Sequence, residues 1–378
     1  MKQTTAQVAT RKGLFELTRG AAGWAITNVA FAGDPVNLTL TDPRDGALYA
    51  ALDLGHFGVK LHRRDRGNEA AGAAPVAAGS NAWQEISVPV YPAQPPQTEE
   101  NKGEPAWKLN LIWSLETGGA DEPGTLWCGT LPGGLFRSRD RGATWELMRS
   151  LWDRPERREW MGGGKDTPGI HSICVDPRDR RHLLVGVSCG GAWTSRDGGA
   201  TWSLTAKGMR AAYMPPDQAD AEQIQDPHRI VRCAAAPETL WCQHHNGIWR
   251  SPDAGAHWVE CTNTAVSNFG FAVAAHPMDA NTAWFVPAVK DEKRYPLGGA
   301  LCVTRTRDGG KTFEVLRQGL PQQHCYDLIY RHGLAVSNDG NTLMMGSTTG
   351  GLWVTEDAGD SWTALSNTLP PVYAVAFG

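Results

Sequence analysis

The stretch Ser195-Arg196-Asp197-Gly198-Gly199-Ala200-Thr201-Trp202 decides the fold, because versions of it recur along the chain. Four further copies keep a hydroxyl residue, the aspartate, the glycine and a final aromatic residue, and they occupy residues 138–145, 251–258, 306–313 and 355–362. Their aspartates follow one another at intervals of 49 to 57 residues. A degenerate copy at residues 63–67 precedes an Ala/Gly-rich insertion that ends at Trp83, and a vestige without the aspartate lies at residues 18–24. A repeat of this period predicts an array of similar supersecondary units.

Each octapeptide has the chemistry of a tight turn between two strands. The carboxylate and the hydroxyl two residues before it can hydrogen-bond to backbone groups of the turn, and the glycine supplies a positive φ. The motif resembles the Asp-box, or bacterial neuraminidase repeat, of sialidases, xyloglucanases, sortilin-type receptors and photosystem II assembly factors. In those families the box closes the outer hairpin of a propeller blade, on the face away from the active site. The resemblance therefore implies a fold and says little about activity.

The strand pattern around the octapeptides predicts an all-β protein, a seven-bladed β-propeller of four-stranded antiparallel blades forming a single domain over residues 1–378. The six complete blades are predicted at residues 36–86, 107–147, 170–204, 229–260, 269–316 and 324–365. An incomplete unit at residues 7–27 lacks an inner strand, and residues 371–378 match the inner strands of the other blades. We therefore expect the C-terminal strand to join the N-terminal blade and close the ring, which leaves no long exposed sheet edge.

Composition narrows the function classes. The formal charge of −4 comes from 36 basic and 40 acidic residues spread along the 378-residue chain, which is unlike the concentrated basic surface of a nucleic-acid-binding protein. No apolar run is long enough for a membrane span, and the start of the chain has no apolar signal core. The eight cysteines include no Cys-x-x-Cys pair, which indicates buried free thiols. These features predict a cytoplasmic protein that binds neither nucleic acid nor a membrane.

The strand order within a blade sorts the candidate residues between two faces. The octapeptides and the turns between first and second strands lie on one face, and the second-to-third-strand turns and blade connections lie on the other. Propellers bind ligands at the mouth of the central channel, where side chains from many strands converge. The starts of the inner strands predict a ring there, formed by Asn37, Asn110, His171, Arg229, Phe269, Tyr326 and Tyr373.

Histidines and tryptophans outside the repeat positions add candidates on the same face. His56 and His245 lie in second-to-third-strand turns, and His228 and His324 lie near the starts of inner strands. Lys165 and Asp166 precede His171. Twelve of the sixteen tryptophans fill repeat positions, and the four others are Trp107, Trp113, Trp152 and Trp160. Either a long loop at residues 149–169 packs on itself through Trp152 and Trp160, or these tryptophans form a stacking wall for a sugar or aromatic ligand.

Three kinds of function remain open. The first is a hydrolase or lyase acting on a small polar or sugar-like molecule, with His171, Asp166, Arg229 and Tyr326 as catalytic groups. Its substrate would contact Asn37, His56, Trp107, Asn110, Trp160, Lys165, His228, His245, Phe269 and Tyr373. The second is a metal-dependent enzyme in which His171, His228 and His324 hold a divalent cation. The third is a non-catalytic scaffold, resembling sortilin-type or photosystem assembly propellers, that binds a peptide or protein.

The resemblance to sialidases does not extend to their activity. The N-terminal Arg-Ile-Pro signature of sialidases is absent, and the nearest basic cluster is Arg11-Lys12-Gly13. Sialidases have six blades, whereas seven are predicted for this chain. Xyloglucanases are tandem propellers with a cleft between them, whereas a single propeller is predicted for this chain. We therefore expect an enzyme other than a true sialidase, with the scaffold as the alternative that needs no catalytic residues.

Overall fold

Seven four-stranded antiparallel sheets form the blades of a propeller. The computed structural model describes residues 3–66, 82–99, 101–162 and 165–378. Within these ranges the inner strand of each blade contacts the inner strand of the next, all the way around the ring. The prediction of an all-β, seven-bladed propeller is confirmed. No helix in the described ranges has the length and apolar character that crossing a bilayer requires.

The strands are short and follow one another from the inside of each blade to its outside. Blade 1 combines Thr5–Thr10, Gly13–Gly20 and Gly23–Ala30 with the C-terminal strand Val372–Phe377. Blade 2 consists of Val36–Thr41, Leu48–Asp53, Val59–Arg64 and Gln84–Ile86. Blade 3 consists of Leu111–Thr117, Leu126–Leu131, Leu135–Ser138 and Glu146–Leu147. Blade 4 consists of Ile170–Asp176, Asp179–Val187, Gly191–Ser195 and Ser203–Leu204.

The remaining three blades follow the same order. Blade 5 consists of Pro227–Arg232, Leu240–His244, Gly247–Ser251 and Val259–Glu260. Blade 6 consists of Gly270–Ala275, Ala283–Pro287, Val303–Thr306 and Glu314–Leu316. Blade 7 consists of Leu334–Val336, Leu343–Gly346, Leu352–Thr355 and Thr363–Ser366. In their described parts the connections hold one short α-helix, Arg149–Trp152, and 3₁₀ turns at Gly55–Phe57, Pro155–Glu159, Glu222–Ile224 and Leu297–Gly299.

The C-terminal strand closes the ring as predicted. It pairs antiparallel with the first strand of the chain, so that Val8 lies opposite Val375. On its other side the backbone N–H of Val375 donates to the carbonyl of His332 at 2.8 Å, which ties blade 1 to blade 7. Phe377 also packs edge-on against Trp24, with ring centroids 5.9 Å apart. The innermost strand of blade 1 is therefore satisfied on both edges.

Blade 7 departs from the prediction at its inner strand. That strand was predicted near residue 324 and begins at Leu334. The N–H of Gly333 donates to the carbonyl of Tyr330 at 2.9 Å, and this tight turn interrupts the extended run ahead of the strand. His332 forms an isolated parallel bridge with Ala374 in place of a longer ladder. The entrance to blade 7 is consequently irregular, and the residues there are displaced along the sequence relative to the other blades.

The five octapeptide turns share one hydrogen-bond network. In residues 195–202 the Ser195 hydroxyl donates to Asp197 Oδ1 at 2.8 Å and accepts the N–H of Gly199 at 2.8 Å. Asp197 also accepts the backbone N–H of Thr201 at 2.9 Å and its hydroxyl at 2.6 Å. Gly199 has a φ of +89°, which favours glycine. Equivalent contacts surround Asp140, Asp253, Asp308 and Asp357, with the ring of His257 replacing the last hydroxyl at Asp253.

We expect Asp197→Ala to lower the free energy of unfolding by about 1–3 kcal/mol, because it removes the acceptor of three hydrogen bonds. The Thr201 side-chain and backbone hydrogen bonds hold the pKa of Asp197 at about 2. A lowered pKa means that the carboxylate stabilises the fold above the pKa of about 4 for an unfolded aspartate, and that this contribution is lost as pH falls towards 2. Urea unfolding at pH 7 and at pH 3 measures both effects.

Asp65→Ala is the matched control, since Asp65 belongs to the degenerate copy and its described contacts are ion pairs with Arg63 and Arg141. Exposed ion pairs contribute little, so a change within about 0.5 kcal/mol is expected there. Equal losses for the Asp197 and Asp65 variants would contradict the stabilising role of the octapeptide network.

Candidate functional site

A cavity of about 610 Å³ opens at one mouth of the central channel. Its wall is built from the starts of inner strands, from second-to-third-strand turns and from blade connections, which is the face predicted to carry chemistry. The blades contribute residues that include Asn37, Trp113, Cys189, His228, Phe271 and Tyr373. Arg331, from the irregular entrance of blade 7, completes the inner wall. Aromatic and charged side chains from the whole ring thus face one enclosed space, as in many ligand sites.

Asp226, His228 and His245 form a cluster in this wall. The Oδ2 atom of Asp226 lies 3.4 Å from Nε2 of His228 and 3.3 Å from Nδ1 of His245. All three atoms lie within 4.8 Å of one another. The side chains of Asp226 and His228 are each 3% exposed, and that of His245 is 20% exposed. The cluster is therefore buried on one side and reaches the cavity mainly through His245.

The pairing of the first two strands of blade 5 explains why Asp226, His228 and His245 lie close together. Pro227 starts the inner strand and pairs with His244 at the end of the second strand. The N–H of His245 then donates to the backbone carbonyl of Asp226 at 2.9 Å. Residues nearly twenty positions apart are in this way fixed side by side at the same edge of the sheet.

Neighbouring groups hold each side chain of the cluster in place. His228 Nδ1 donates to the carbonyl of Gly270 at 2.6 Å, and its ring stacks on Phe271 with centroids 4.4 Å apart. The backbone N–H of Cys189 donates to Oδ1 of Asp226 at 3.2 Å. The edge contact between the rings of His245 and Tyr213 has a centroid distance of 5.1 Å. The carboxylate oxygen and the ring nitrogens that face one another are thus oriented by contacts outside the cluster.

The cluster carries a negative charge inside the protein. Burial on its own would raise the pKa of Asp226, but His228, His245 and Arg331 outweigh it and hold this pKa well below its ordinary value. Burial lowers the pKa of His228 despite the adjacent carboxylate. The Asp226 carboxylate is therefore ionised at neutral pH.

Arg331 is a buried cation beside this cluster. Its guanidinium lies between two aromatic rings, 4.8 Å from the centroid of Trp113 and 5.2 Å from that of Phe271. The residue is 8% exposed, and its Nε and Nη2 atoms have no hydrogen-bond partner among the described residues. Burial lowers its pKa to about 10, which leaves the side chain charged at pH 7. Buried guanidinium donors are normally paired and Arg331 lines the cavity, so its side chain is suited to an anionic group there.

A second layer of polar residues closes the floor of the cavity. Arg229 donates from Nη1 to the carbonyl of His171 at 3.1 Å and contacts Nδ1 of His332 at 2.8 Å. Arg229 lines a narrower space of about 310 Å³ farther down the channel, together with Glu116. Burial raises the pKa of Glu116. His171 is fully buried behind Trp113, with ring centroids 5.5 Å apart.

The structure brings some of the predicted site residues to the cavity and places others away from it. Five line it, namely Asn37, Lys165, His228, His245 and Tyr373. Phe269 packs edge-on against the rings of His228 and His245, just behind the wall. His171 and Arg229 lie beneath the cavity floor. The predicted metal trio of His171, His228 and His324 is not brought together, because His324 is exposed in the connection before blade 7.

The residues placed elsewhere have local reasons for their positions. Tyr326 is 63% exposed against Tyr295, because the irregular entrance of blade 7 puts Tyr330 and Arg331 at the cavity instead. Trp107 packs on Trp152 and Trp160 packs on Trp193, so the loop at residues 149–169 uses its tryptophans for packing. The remaining three, His56, Asn110 and Asp166, are exposed and do not line the cavity.

The predicted site residues did not include Asp226, Arg331, Trp113 and His332. Asp226 stands two residues before His228, at the start of a predicted inner strand, which was a usable signal. Trp113 was noted as a tryptophan without a repeat position, and this feature marked it correctly as unusual. His332 was not a candidate in the sequence analysis, and it lies at the cavity. Arg331 had no signal, because the entrance of blade 7 does not follow the strand pattern.

Comparisons with known proteins support the fold. No protein-family model matches the chain. The curated Xyloglucanase Xgh74A of Acetivibrio thermocellus is 38% identical over 73 residues, which is 19% of this chain and 8% of that protein. The crystal structure of the GH74 xyloglucanase of Xanthomonas campestris matches with a TM-score of 0.64 at 16% identity, covering 97% of this chain and 53% of that one. The Niastella koreensis GH74 enzyme gives 0.58 at 16% identity, with coverages of 96% and 54%.

These similarities show the propeller fold alone. The matched part of the chain spans about half the length of the two solved enzymes, and the 73-residue match spans 8% of the curated relative. Identification of the octapeptides with the Asp-box repeat remains a prediction, since it rests on the sequence resemblance and on the turn geometry. Activity must be argued from the cavity itself.

Cys189 gives a direct test of how closed the cavity wall is. All eight cysteines are buried and none is in a disulfide. Burial, reinforced by Asp226, raises the pKa of the Cys189 thiol to about 12. At pH 8 about one such thiol in 10⁴ is ionised, so we expect iodoacetamide to label Cys189 at least about 100-fold more slowly in the native protein than in urea. Mass spectrometry of labelled peptides measures the rates, and rapid native labelling that is lost in Cys189→Ser would contradict the prediction.

Proposed function

We propose that the protein is an enzyme that acts on a small, polar, anionic molecule bound in the cavity at the channel mouth. The observation that carries the proposal is the buried guanidinium of Arg331 near the Asp226–His228–His245 cluster, because two of its nitrogens have no hydrogen-bond partner among the described residues. A substrate carboxylate or similar oxyanion pairs with the Arg331 guanidinium, which lines the cavity and whose covered Nε and Nη2 atoms lack partners among the described residues. The reacting part of the same molecule then lies next to the cluster.

The volume and the lining residues of the cavity suit a small organic ligand. A cavity of about 610 Å³ is in the range of small-molecule sites. The rings of Tyr330 and Tyr373 both line the cavity, with centroids 6.4 Å apart. Asn37 adds a polar group from blade 2, where its Nδ2 already donates to the carbonyl of Ile112 at 2.6 Å. Aromatic faces beside a few fixed polar groups suit sugar acids and hydroxy acids.

The cluster supplies the reactive group. A carboxylate in contact with two imidazoles at a cavity wall can accept a proton or activate water. With the substrate anion on Arg331, such a centre supports two reactions. One is hydrolysis, and the other is elimination that begins with loss of a proton next to the carboxylate, whose developing charge Arg331 stabilises. The matched relatives are named xyloglucanases or GH74 enzymes, which agrees with a carbohydrate-derived substrate.

Ligand binding tests the role of Arg331. We expect D-glucuronate, D-galacturonate or citrate to raise the melting temperature, since a ligand that binds only the folded state stabilises it by mass action. Neutral D-glucose serves as the comparison for D-glucuronate because the two differ in the carboxylate. Arg331→Met should weaken binding of the active acid at least about tenfold, because a charge-assisted pair is lost. Isothermal titration calorimetry measures the affinities.

Arg307→Met is the control variant, because Arg307 is an arginine of an octapeptide turn whose side chain is 53% exposed. It should bind the acid like the wild type. A panel without any shift, or equal binding by Arg331→Met, would contradict the proposal and favour a protein partner on this face.

Turnover tests the role of the cluster. Each acid that binds is incubated with the protein, and new resonances are followed by proton NMR. Asp226→Asn keeps the shape of the side chain and removes its charge, so we expect it to lower turnover at least about 100-fold. Binding of the acid through Arg331 should persist in this variant. Full turnover by Asp226→Asn would overturn the assignment of the cluster.

A further inference from the structure

We propose that Asp226, His228 and His245 are the ligands of a first-row divalent transition-metal ion whose open coordination positions face the cavity. Among residues 3–66, 82–99, 101–162 and 165–378, this is the one group of histidine, cysteine and carboxylate side chains with the geometry to hold an ion. Binding of the ion does not depend on the proposed function, whereas a role of the ion in the reaction rests on it.

The distances suit a shared cation. Zinc binds nitrogen and oxygen ligands at about 2.0–2.2 Å, so two ligand atoms of a tetrahedral site lie about 3.4 Å apart. Asp226 Oδ2 lies 3.4 Å from His228 Nε2 and 3.3 Å from His245 Nδ1. Both separations exceed those of ordinary charge-assisted hydrogen bonds, which are about 2.7–2.9 Å. The ligand atoms of the three side chains all lie within 4.8 Å of one another, which leaves room for one shared ion.

The orientation of the His228 ring also supports a metal ion shared by the three side chains. A carbonyl oxygen can only accept, so the 2.6 Å contact with Gly270 places an N–H on Nδ1. Nε2 then faces the Asp226 carboxylate either as the second N–H of an imidazolium or with its lone pair directed at a shared cation. Metal-binding histidines characteristically donate their other ring nitrogen to a backbone carbonyl or carboxylate. Stacking on Phe271 and the Cys189 N–H on Asp226 complete a second layer of support.

The ligand set defines the class of metal. Two imidazoles and one carboxylate with open positions are typical of iron(II), zinc and related ions, whereas Mg²⁺ and Ca²⁺ prefer oxygen ligands. One carboxylate leaves a divalent ion with a net positive charge, next to the guanidinium of Arg331. An anionic substrate can therefore bridge the ion and Arg331, which places its reacting bond beside a metal-bound water.

The test uses tag-free, full-length protein stripped with a chelator and then titrated with Zn²⁺ and, separately, with Co²⁺. We expect one ion per chain by elemental mass spectrometry after desalting, and a visible d–d absorption for the Co²⁺ form. His245→Ala should weaken binding at least about tenfold, since it removes a ligand while its partly exposed position favours correct folding. Asp226→Asn should weaken it as well, and circular dichroism checks that both variants are folded.

His324→Ala is the matched control, because His324 is an exposed histidine outside the cavity wall. It should bind one ion with wild-type affinity. Less than about a tenth of an ion per wild-type chain, or equal affinity in His245→Ala and wild type, overturns the metal site. Glucuronate binding measured with and without Zn²⁺ separates the two proposals: a metal-free protein that still binds the acid through Arg331 keeps the proposed function and loses the metal.

Discussion

Pairing of the last strand with the first is the interaction on which the rest of the structure depends. Blade 1 has only three strands from the N-terminal part of the chain, and Val372–Phe377 supplies its inner one. The same strand is bound on its other edge to His332, so it joins blade 1 to blade 7. It also carries Tyr373 into the cavity wall. Closure of the ring thus brings the entrance of blade 7, with Arg331, to face blades 3, 5 and 6.

The two faces of the propeller satisfy their polar groups in opposite ways. On the octapeptide face each aspartate accepts from groups within its own turn, as Asp197 does from Ser195 and Thr201, and the network is complete. On the other face a buried guanidinium, that of Arg331, has nitrogens without protein partners in the described part of the chain. Leaving such a group unpaired costs about 1–3 kcal/mol. Buried polar groups that lack a partner are expected at functional sites, and this one belongs to the cavity wall.

The sequence predicted the fold well because the determining chemistry is local and repeated. Within residues 195–202, a hydroxyl, a carboxylate and a glycine contact one another, and four further copies place the outer hairpins of four other blades. The site is different, since Trp113 and Phe271 sandwich Arg331 although the three residues come from different blades. No spacing in the sequence encodes that contact. The hairpin register of blade 5 did encode the proximity of Asp226 to His245, whereas the tight turn at Gly333 shifted the ring residue of blade 7 from Tyr326 to Tyr330 and Arg331.

The distribution of charge within the cavity identifies which cation is available to a ligand. Arg294 also lines the wall, but its Nε and Nη2 atoms bond to Asp291, and Asp291 neutralises it. Lys165 is exposed, so water screens its charge. Arg331 is buried between aromatic rings, where a low dielectric strengthens its attraction for an anion. Asp226 is the carboxylate that could act as the counterion of Arg331, but its Oδ2 atom is already in contact with His228 and His245. If the cluster holds a metal ion, the Asp226 carboxylate binds that ion. The substrate anion is then the group that pairs with Arg331.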